Sequence, residues 1–467
     1  MKILLAASEV SPLARTGDFA DAVSHLSSHL VKAGNDVTLV LPYYRCIREN
    51  KTLKPRRTKP AISVELGSAR LECTVWEAVG PNGVNLLLVE RDEFFDRTGL
   101  YGVEDRDYQD NAARFIFFSK VVVEMVRRQA PDVVQVVGWQ PALVPAFLRA
   151  QHLNVRSVLS PYSLEYQGNF WSHDFQLTNL PGNYFSSDSL EFYGSMNFLK
   201  AGIVYADAVV LPGGRHVAAM QTSDHGCGLE NVLREHSYKL EGIAPGLNES
   251  VFPSVRSSDQ SIKKARAALF PNIDQTASAR IVVVDAASTA GAGIDLLLSV
   301  MDRLPSDDLK IILLGAVDAT RREALVVATR RHADRFVHLP QLGAPELEQV
   351  LLAGDFHLIP GPIEPGSHFL ALAMRNGIVP LAENCSGLHQ TLRDFDPVTG
   401  CGNALIFYRH SEAALSDLLR RAAFLGSEEL KNLSSRAVET DFSWNGTVLR
   451  LETLYKRLLD GRISKAA

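Results

Sequence analysis

The sequence predicts an α/β protein built from two doubly wound parallel-sheet domains that face a cleft. Three observations lead there. Short β-rich runs alternate with stretches of helical periodicity from one end to the other. The composition breaks after Asn248, where Pro253–Ser261 turns polar and serine-rich and reads as an interdomain linker. The 467 residues, 46% hydrophobic and 22% charged, supply two cores of ordinary composition.

Lys2–Ala6 reads as a buried first strand. Its apolar run of five residues before Ser8 and Glu9 is short for a secretion signal. Phe19, Val23, Leu26, Leu30 and Val31 then fall at helical spacing, and Gly34 ends that helix. Val37–Leu41 is the next strand, closed by Pro42, and Asp110–Arg127 is helical. Val133–Val136, Pro141–Arg149 and Ser157–Ser160 give strand, helix, strand. Past the linker, Ile281–Val284 is a strand, Leu296–Leu304 sits in a helix, and Lys310–Leu314 is a strand followed by a helix through Arg331. Phe336–Leu339, Phe356–Ile359, Ile378–Leu381 and Ala404–Phe407 continue the series. The last helix, Gly446–Leu459, is amphipathic through Val448, Leu451, Leu454, Tyr455 and Leu458. The domains expected are 1–250, 251–440 and a terminal segment, 441–467.

Lys+Arg 48 against Asp+Glu 53 leaves a net charge of −5, with no basic excess or block. Nucleic acid and lipid surfaces are therefore not expected partners. No apolar run approaches the roughly 18 residues of a membrane-spanning helix. The five cysteines, Cys46, Cys73, Cys227, Cys385 and Cys401, contain no C-x-x-C pair. A disulfide framework or zinc site is not expected, and a reducing cytoplasm is. Two tandem doubly wound domains bind ligands at the carboxyl ends of their strands, beside helix N-termini. On this alone kinase-like, dehydrogenase-like and glycosyltransferase chemistry all fit.

The motifs narrow the choice. The first strand leads into Ser8-Glu9-Val10-Ser11-Pro12-Leu13-Ala14-Arg15-Thr16-Gly17-Asp18-Phe19-Ala20-Asp21. Asp96-Arg97 through Leu100-Tyr101-Gly102 precedes Tyr108-Gln109-Asp110-Asn111 and Arg114-Phe115. Tyr166-Gln167-Gly168, Leu199-Lys200-Ala201-Gly202, Tyr205-Ala206-Asp207, Glu364-Pro365 and Asp441-Phe442-Ser443-Trp444 follow in order. Together they resemble the bacterial glycogen synthase and plant starch synthase family. The resemblance runs over nearly the whole chain. It implies the GT-B architecture, with two Rossmann-like domains and a final helix crossing back to the first. It also implies transfer of glucose from ADP-glucose to the non-reducing end of an α-1,4-glucan with retention of configuration. The implied partners are a nucleotide sugar and an α-glucan. No metal or other cofactor is implied, so cations and helix N-termini must neutralise the leaving diphosphate.

The sequence departs from the family pattern at the positions that do this. The donor-phosphate segment R-x-x-x-Q-K-G-x-D aligns with Ala287 to Asp295, placing Ala287 at the arginine and Ala292 at the lysine. The turn K-T-G-G-L-A-D becomes Arg15-Thr16-Gly17-Asp18-Phe19-Ala20-Asp21, H-N-L-A-Y-Q-G becomes Tyr162 to Gly168, and H-D-W-H becomes Val137 to Gln140. N-G-[IV]-D becomes Pro245 to Asn248, E-P-C-G-L becomes Glu364 to His368, and T-G-G-L becomes Cys385 to Leu388.

The resemblance assigns Arg15, Gly17, Asp18, Asp21, Ser367 and His368 to the donor. It assigns Glu9, Trp139, Tyr166 and Gln167 to the acceptor or sugar, and Glu364 and Tyr162, which replaces a histidine, to the catalytic pocket. Bland readings stand beside these. Asp18 is a helix N-cap, Arg15 a solvated turn residue, Tyr162 and Trp139 core, His368 surface, and Asp110, Asn111 and Arg114 braces of their helix. Losing two charge-assisted hydrogen bonds from a leaving group costs about 3–6 kcal/mol, roughly a hundredfold to ten-thousandfold in rate. Three functions stay open: an active glucan synthase that has rebuilt its donor site, a non-catalytic glucan- or sugar-binding regulator, and a transferase using a different donor.

Overall fold

The computed structural model describes residues 1–80, 83–104, 106–213, 216–223, 225–246, 259–271, 279–286, 289, 291–304, 309–341, 343–361, 368–384 and 392–461; at Asp18 and His368 it describes the backbone alone. The sequence-predicted positions Ala287, Glu364 and Ser367 lie outside these residues. The chain divides into two compact units. The first comprises Met1–Pro212, Val217–Gly246 and Trp444–Ala467, and the second Gly213–His216 and Leu247–Ser443.

The main sheet of the first unit is built on β1 (Lys2–Ala6), β2 (Asp36–Pro42), β3 (Ala69–Val79), β4 (Asn85–Glu90), β5 (Val133–Val137), β6 (Arg156–Ser160), β7 (Ala208–Leu211) and β8 (Leu240–Gly242). Their spatial order is β8-β7-β6-β5-β1-β2-β4-β3, with the short strand Arg56–Arg57 beyond β3. β1 is central. Leu4 pairs with Thr38 on one side and Val134 on the other, both parallel. Covered on both faces, β1 is apolar from Ile3 to Ala6, and β5 is buried throughout with Gln135 its one polar residue. The helix Asn111–Gln129 is buried nearly all round through Phe115–Phe118 and Val121–Val123, and ends at Ala130 with φ +45°.

The sheet is not parallel throughout, as the alternation predicts. β3 runs antiparallel to β4, with Val75 opposite Val89, and Ile62–Leu66 pairs antiparallel with β3. The turn after Val79 is too short for the crossover that a parallel pair needs. The return helix, Trp444–Leu459, starts two residues before the predicted Gly446. It buries Trp444, Val448, Leu451, Leu454, Tyr455 and Leu458 in the core of this first unit. Its Tyr455 hydroxyl donates to Gln135 Oε1 on β5.

In the second unit the strands are β9 (Arg280–Asp285), β10 (Leu309–Leu314), β11 (Phe336–Leu339), β12 (Phe356–Ile359), β13 (Val379–Glu383) and β14 (Leu405–Phe407). All pair in parallel, in the order β11-β10-β9-β12-β13-β14. Numbered within the unit this is 3-2-1-4-5-6, the dinucleotide-binding order, whose switch point lies between β9 and β12. The predicted linker is shorter than expected. Asp259–Leu269 is a helix, because Ala265 buries against this unit's core.

Candidate active site

In the first unit the strand order reverses between β1 and β5, so their carboxyl ends open the crevice where doubly wound sheets bind ligands. The turn Ser8–Gly17 leaves β1 at this edge, and Gly138 and Trp139 leave β5. Glu9 is buried beneath the turn. Its Oε2 accepts from the Thr16 N–H at 2.6 Å, and its Oε1 from the Thr16 hydroxyl at 2.8 Å and the Tyr101 hydroxyl at 2.6 Å. Ser8 Oγ lies 2.7 Å from the Tyr101 oxygen. Since the single Tyr101 proton goes to Glu9, Ser8 is the donor there.

Tyr101 is itself held from below. Asn111 Nδ2 donates to the Tyr101 carbonyl at 2.9 Å. Arg114, with no exposed surface, donates to the Phe94 carbonyl at 2.7 Å, Asn111 Oδ1 at 2.6 Å and the Leu100 carbonyl at 2.9 Å. The ring of Tyr108 lies 5.0 Å from the Arg114 guanidinium carbon. Burial lowers the Arg114 pKa, while its three hydrogen bonds to oxygen acceptors favour the charged form. Asp110 forms a two-pronged pair with Arg97, at 2.7 and 2.5 Å. This spaced motif is therefore a brace, running Arg114–Asn111–Tyr101–Glu9–Thr16 to the glycine turn.

At the turn itself, Arg15 pairs with Asp21 at 2.9 Å. Gly17, not Asp18, occupies the N-cap of the helix Asp18–Lys32, and Asp18 is its first helical residue. The space that a Cβ on Gly17 would fill is empty. Tyr162 is not core. It follows β6 at the strand ends, is 37% exposed, and packs edge-on to Phe19 at 5.4 Å. Trp139 is half-buried among Phe115, Phe170 and Phe198, with centroids 5.1, 5.7 and 6.1 Å away. Gly168 has φ +66°, and a Cβ there would meet the Trp139 ring at 2.4 Å, so conformation and space both demand glycine. Tyr166 beside it is 70% exposed. Gln167 is buried, donating to the Leu164 and Cys227 carbonyls at 2.8 Å each and accepting from Asn197 at 2.7 Å. Its amide orders the loop, while Tyr166 offers the open ring.

In the second unit the helix Gly291–Val300 follows β9 at the switch point. Gly293 approaches the segment after β12 closely, since a Cβ on it would lie 3.0 Å from the Pro360 carbonyl. Ala292 is exposed on the first turn. The cation against this turn is Arg321, from the helix Ala319–Arg331. A Cβ on Gly291 would sit 2.4 Å from its guanidinium carbon. Gly291 stands at the glutamine of the family segment, so the vacated side-chain space holds Arg321. It binds Asp295 at 2.9 and 2.7 Å and also pairs with Asp318. Hydrogen bonds from Thr320 and Arg321 hold the Asp318 carboxyl at about 2. Sequence reasoning misses Arg321 because it belongs to no motif; its signals are the three-residue spacing from Asp318 and the glycine at 291.

The two doubly wound units and their switch-point turns define a GT-B glycosyltransferase. A family model described as the starch synthase catalytic domain matches residues 2–235. Glycogen synthase 2 of Geobacter sulfurreducens is 30% identical over 99% of this chain and 100% of its own length. Glycogen synthase of Opitutus terrae is 30% identical over 98% and 100%. The chain belongs to the glycogen and starch synthase family. Its fold matches the catalytic domain of starch synthase IV from Arabidopsis thaliana, bound to ADP and acarbose, with a TM-score of 0.72, 21% identity, and 98% and 99% of the two chains covered. Sucrose-phosphate synthase from Thermosynechococcus elongatus aligns with a TM-score of 0.54 and 17% identity, covering 98% and 99%. Among the described residues, no helix is long and apolar enough to cross a membrane.

Proposed function

We propose that this protein transfers glucose from a nucleotide sugar to an α-glucan, the reaction of its family, at a rate lowered by the loss of donor-phosphate cations. Arg321 carries the reading. The first turn of Gly291–Val300 has an exposed Ala292 where the family has lysine, and the guanidinium beside that turn is bound by two carboxylates. A leaving diphosphate meets little uncompensated positive charge there. The brace under Ser8–Gly17 supports a working sugar-side scaffold. The reading involves no metal and places the protein in the cytoplasm, in keeping with its scattered cysteines.

Incorporation of glucose into glycogen, measured with ADP-glucose and with UDP-glucose, tests this. The expected rate lies about a hundredfold to ten-thousandfold below that of a relative carrying both cations. Folded protein that incorporates from neither donor would refute transfer. The Asp295–Arg321–Asp318 cluster favours one second reading, a glucan-binding protein without catalysis. That reading expects glucan binding in calorimetry with no ADP binding.

A further inference from the structure

The second unit holds a cavity of about 240 Å³ at the edge opposite its switch point. Arg280 opens β9, Asp355 immediately precedes β12 and Gly377 lies just before β13, so the cavity sits at the amino ends of these strands. Its charged lining is Arg266, Arg280 and Lys431 against one carboxylate, Asp355.

The carboxylate is committed. Asp355 Oδ1 accepts from Arg266 at 2.7 Å, and Oδ2 accepts from the Ile281 N–H at 2.8 Å. Arg266 also donates to the Ala353 carbonyl at 3.1 Å. That pair is internally neutral. Among the described residues Arg280 makes one hydrogen bond, to the Leu425 carbonyl at 3.0 Å, and its buried Nε–H has no acceptor. A buried charged donor left without an acceptor is costly, so it marks a place where an acceptor belongs. Lys431, on the exposed side of Ser427–Val438, adds a second cation that no described residue pairs. Ser427 and Asn376 bring polar side chains to the same lining. The acidic residues of that helix's first turn, Glu428 and Glu429, do not line the cavity, and Glu429 caps the Gly426 N–H at 3.0 Å.

A guanidinium and an ammonium that no described carboxylate pairs suit a dianion with several acceptor oxygens. The volume is below the roughly 300–1,000 Å³ of sites for drug-sized ligands, so the body attached to the anion is small. We propose that this cavity binds a small phosphate monoester, such as a sugar phosphate, through Arg280 and Lys431. The site is separate from the switch-point edge and does not depend on whether the protein transfers glucose.

Thermal shift and calorimetry on the full chain at low salt test it, with glucose 6-phosphate, inorganic phosphate and glucose as probes. Glucose 6-phosphate should stabilise the protein and bind more tightly than inorganic phosphate, and glucose should do neither. Lys431→Glu, on an exposed helix position, should abolish binding, and Arg280→Gln should weaken it about tenfold or more. Arg280→Lys guards against a folding defect, since it keeps the charge and should keep part of the affinity. Arg15→Ala, in the first unit, should leave the affinity unchanged. Absence of saturable binding at millimolar glucose 6-phosphate, or equal binding by wild type and Lys431→Glu, would overturn the proposal. Binding no tighter than that of inorganic phosphate would overturn the monoester assignment.

Discussion

The Tyr101 hydroxyl sits between Glu9 Oε1, at 2.6 Å, and Ser8 Oγ, at 2.7 Å, so one phenol ties the loop before the helix Asn111–Gln129 to the turn after β1. Tyr101→Phe removes a donor from a buried carboxylate. It should lower the stability of the first unit by about 1–3 kcal/mol. A reduced urea midpoint at unchanged slope, with faster amide exchange at Thr16, would show it.

Arg114 is a more severe test of the same brace. Arg114→Met leaves the Phe94 carbonyl, the Leu100 carbonyl and Asn111 Oδ1 without their donor. The expected loss is about 3 kcal/mol or more. Arg114→Lys should recover little of it, since one ammonium cannot span a planar three-way fork. Chemical denaturation followed by tryptophan fluorescence distinguishes the two variants.

On the proposed function, Ala287→Arg with Ala292→Lys should raise glucose incorporation by about a hundredfold to ten-thousandfold. An unchanged rate in the folded double variant would move the deficit to Asp18, Tyr162 or Pro245.

Restoring the glutamine is not independent of Arg321. A side chain at 291 must displace the guanidinium that lies 2.4 Å from the would-be Cβ. Gly291→Gln and Arg321→Ala should therefore be non-additive. The coupling should be about 0.5–3 kcal/mol in a double-mutant cycle read by thermal unfolding.

His357 gives the second unit a built-in acid sensitivity. It lies fully buried on β12, 4.8 Å from the Phe369 ring, and neither nitrogen has a hydrogen-bond partner among the described residues. Burial pushes its pKa down to about 3, from 6.5. Between those values the unfolded chain binds the proton and the folded one does not. Stability is therefore lost as pH falls below 6.5, by up to about 1.4 kcal/mol per unit from this group. His357→Leu should flatten that part of the stability–pH profile, measured by urea unfolding at successive pH values.

Much of the fold is legible in the residues. Runs such as Val133–Val137 are buried on both faces and show no alternation, which marks them as central parallel strands. The antiparallel β3 is harder to read, because its burial pattern is irregular and its partner is fixed by a hairpin rather than by periodicity. The site divides in the same way. The motifs single out Gly17 and Gly168, and the structure separates them: a Cβ on Gly168 would strike Trp139, while the space beside Gly17 is open. The brace roles of Glu9 and Gln167 are not, because a carboxylate that binds sugar and one that anchors a turn look alike in sequence. Arg321 acts through an empty space at Gly291, and a missing side chain shows its effect only once the neighbouring helix is placed.

The return helix sets an order on biosynthesis. Trp444 through Leu458 complete the core that β1 begins, yet they leave the ribosome only after all of Leu247–Ser443 has been made. All but four residues of the second unit lie in that one stretch, so it is then free to fold, while the first waits with an open apolar seam along Asp18–Lys32 and β5. A stop codon just before Trp444 would leave the protein in that state, with its second unit whole and its first core unclosed.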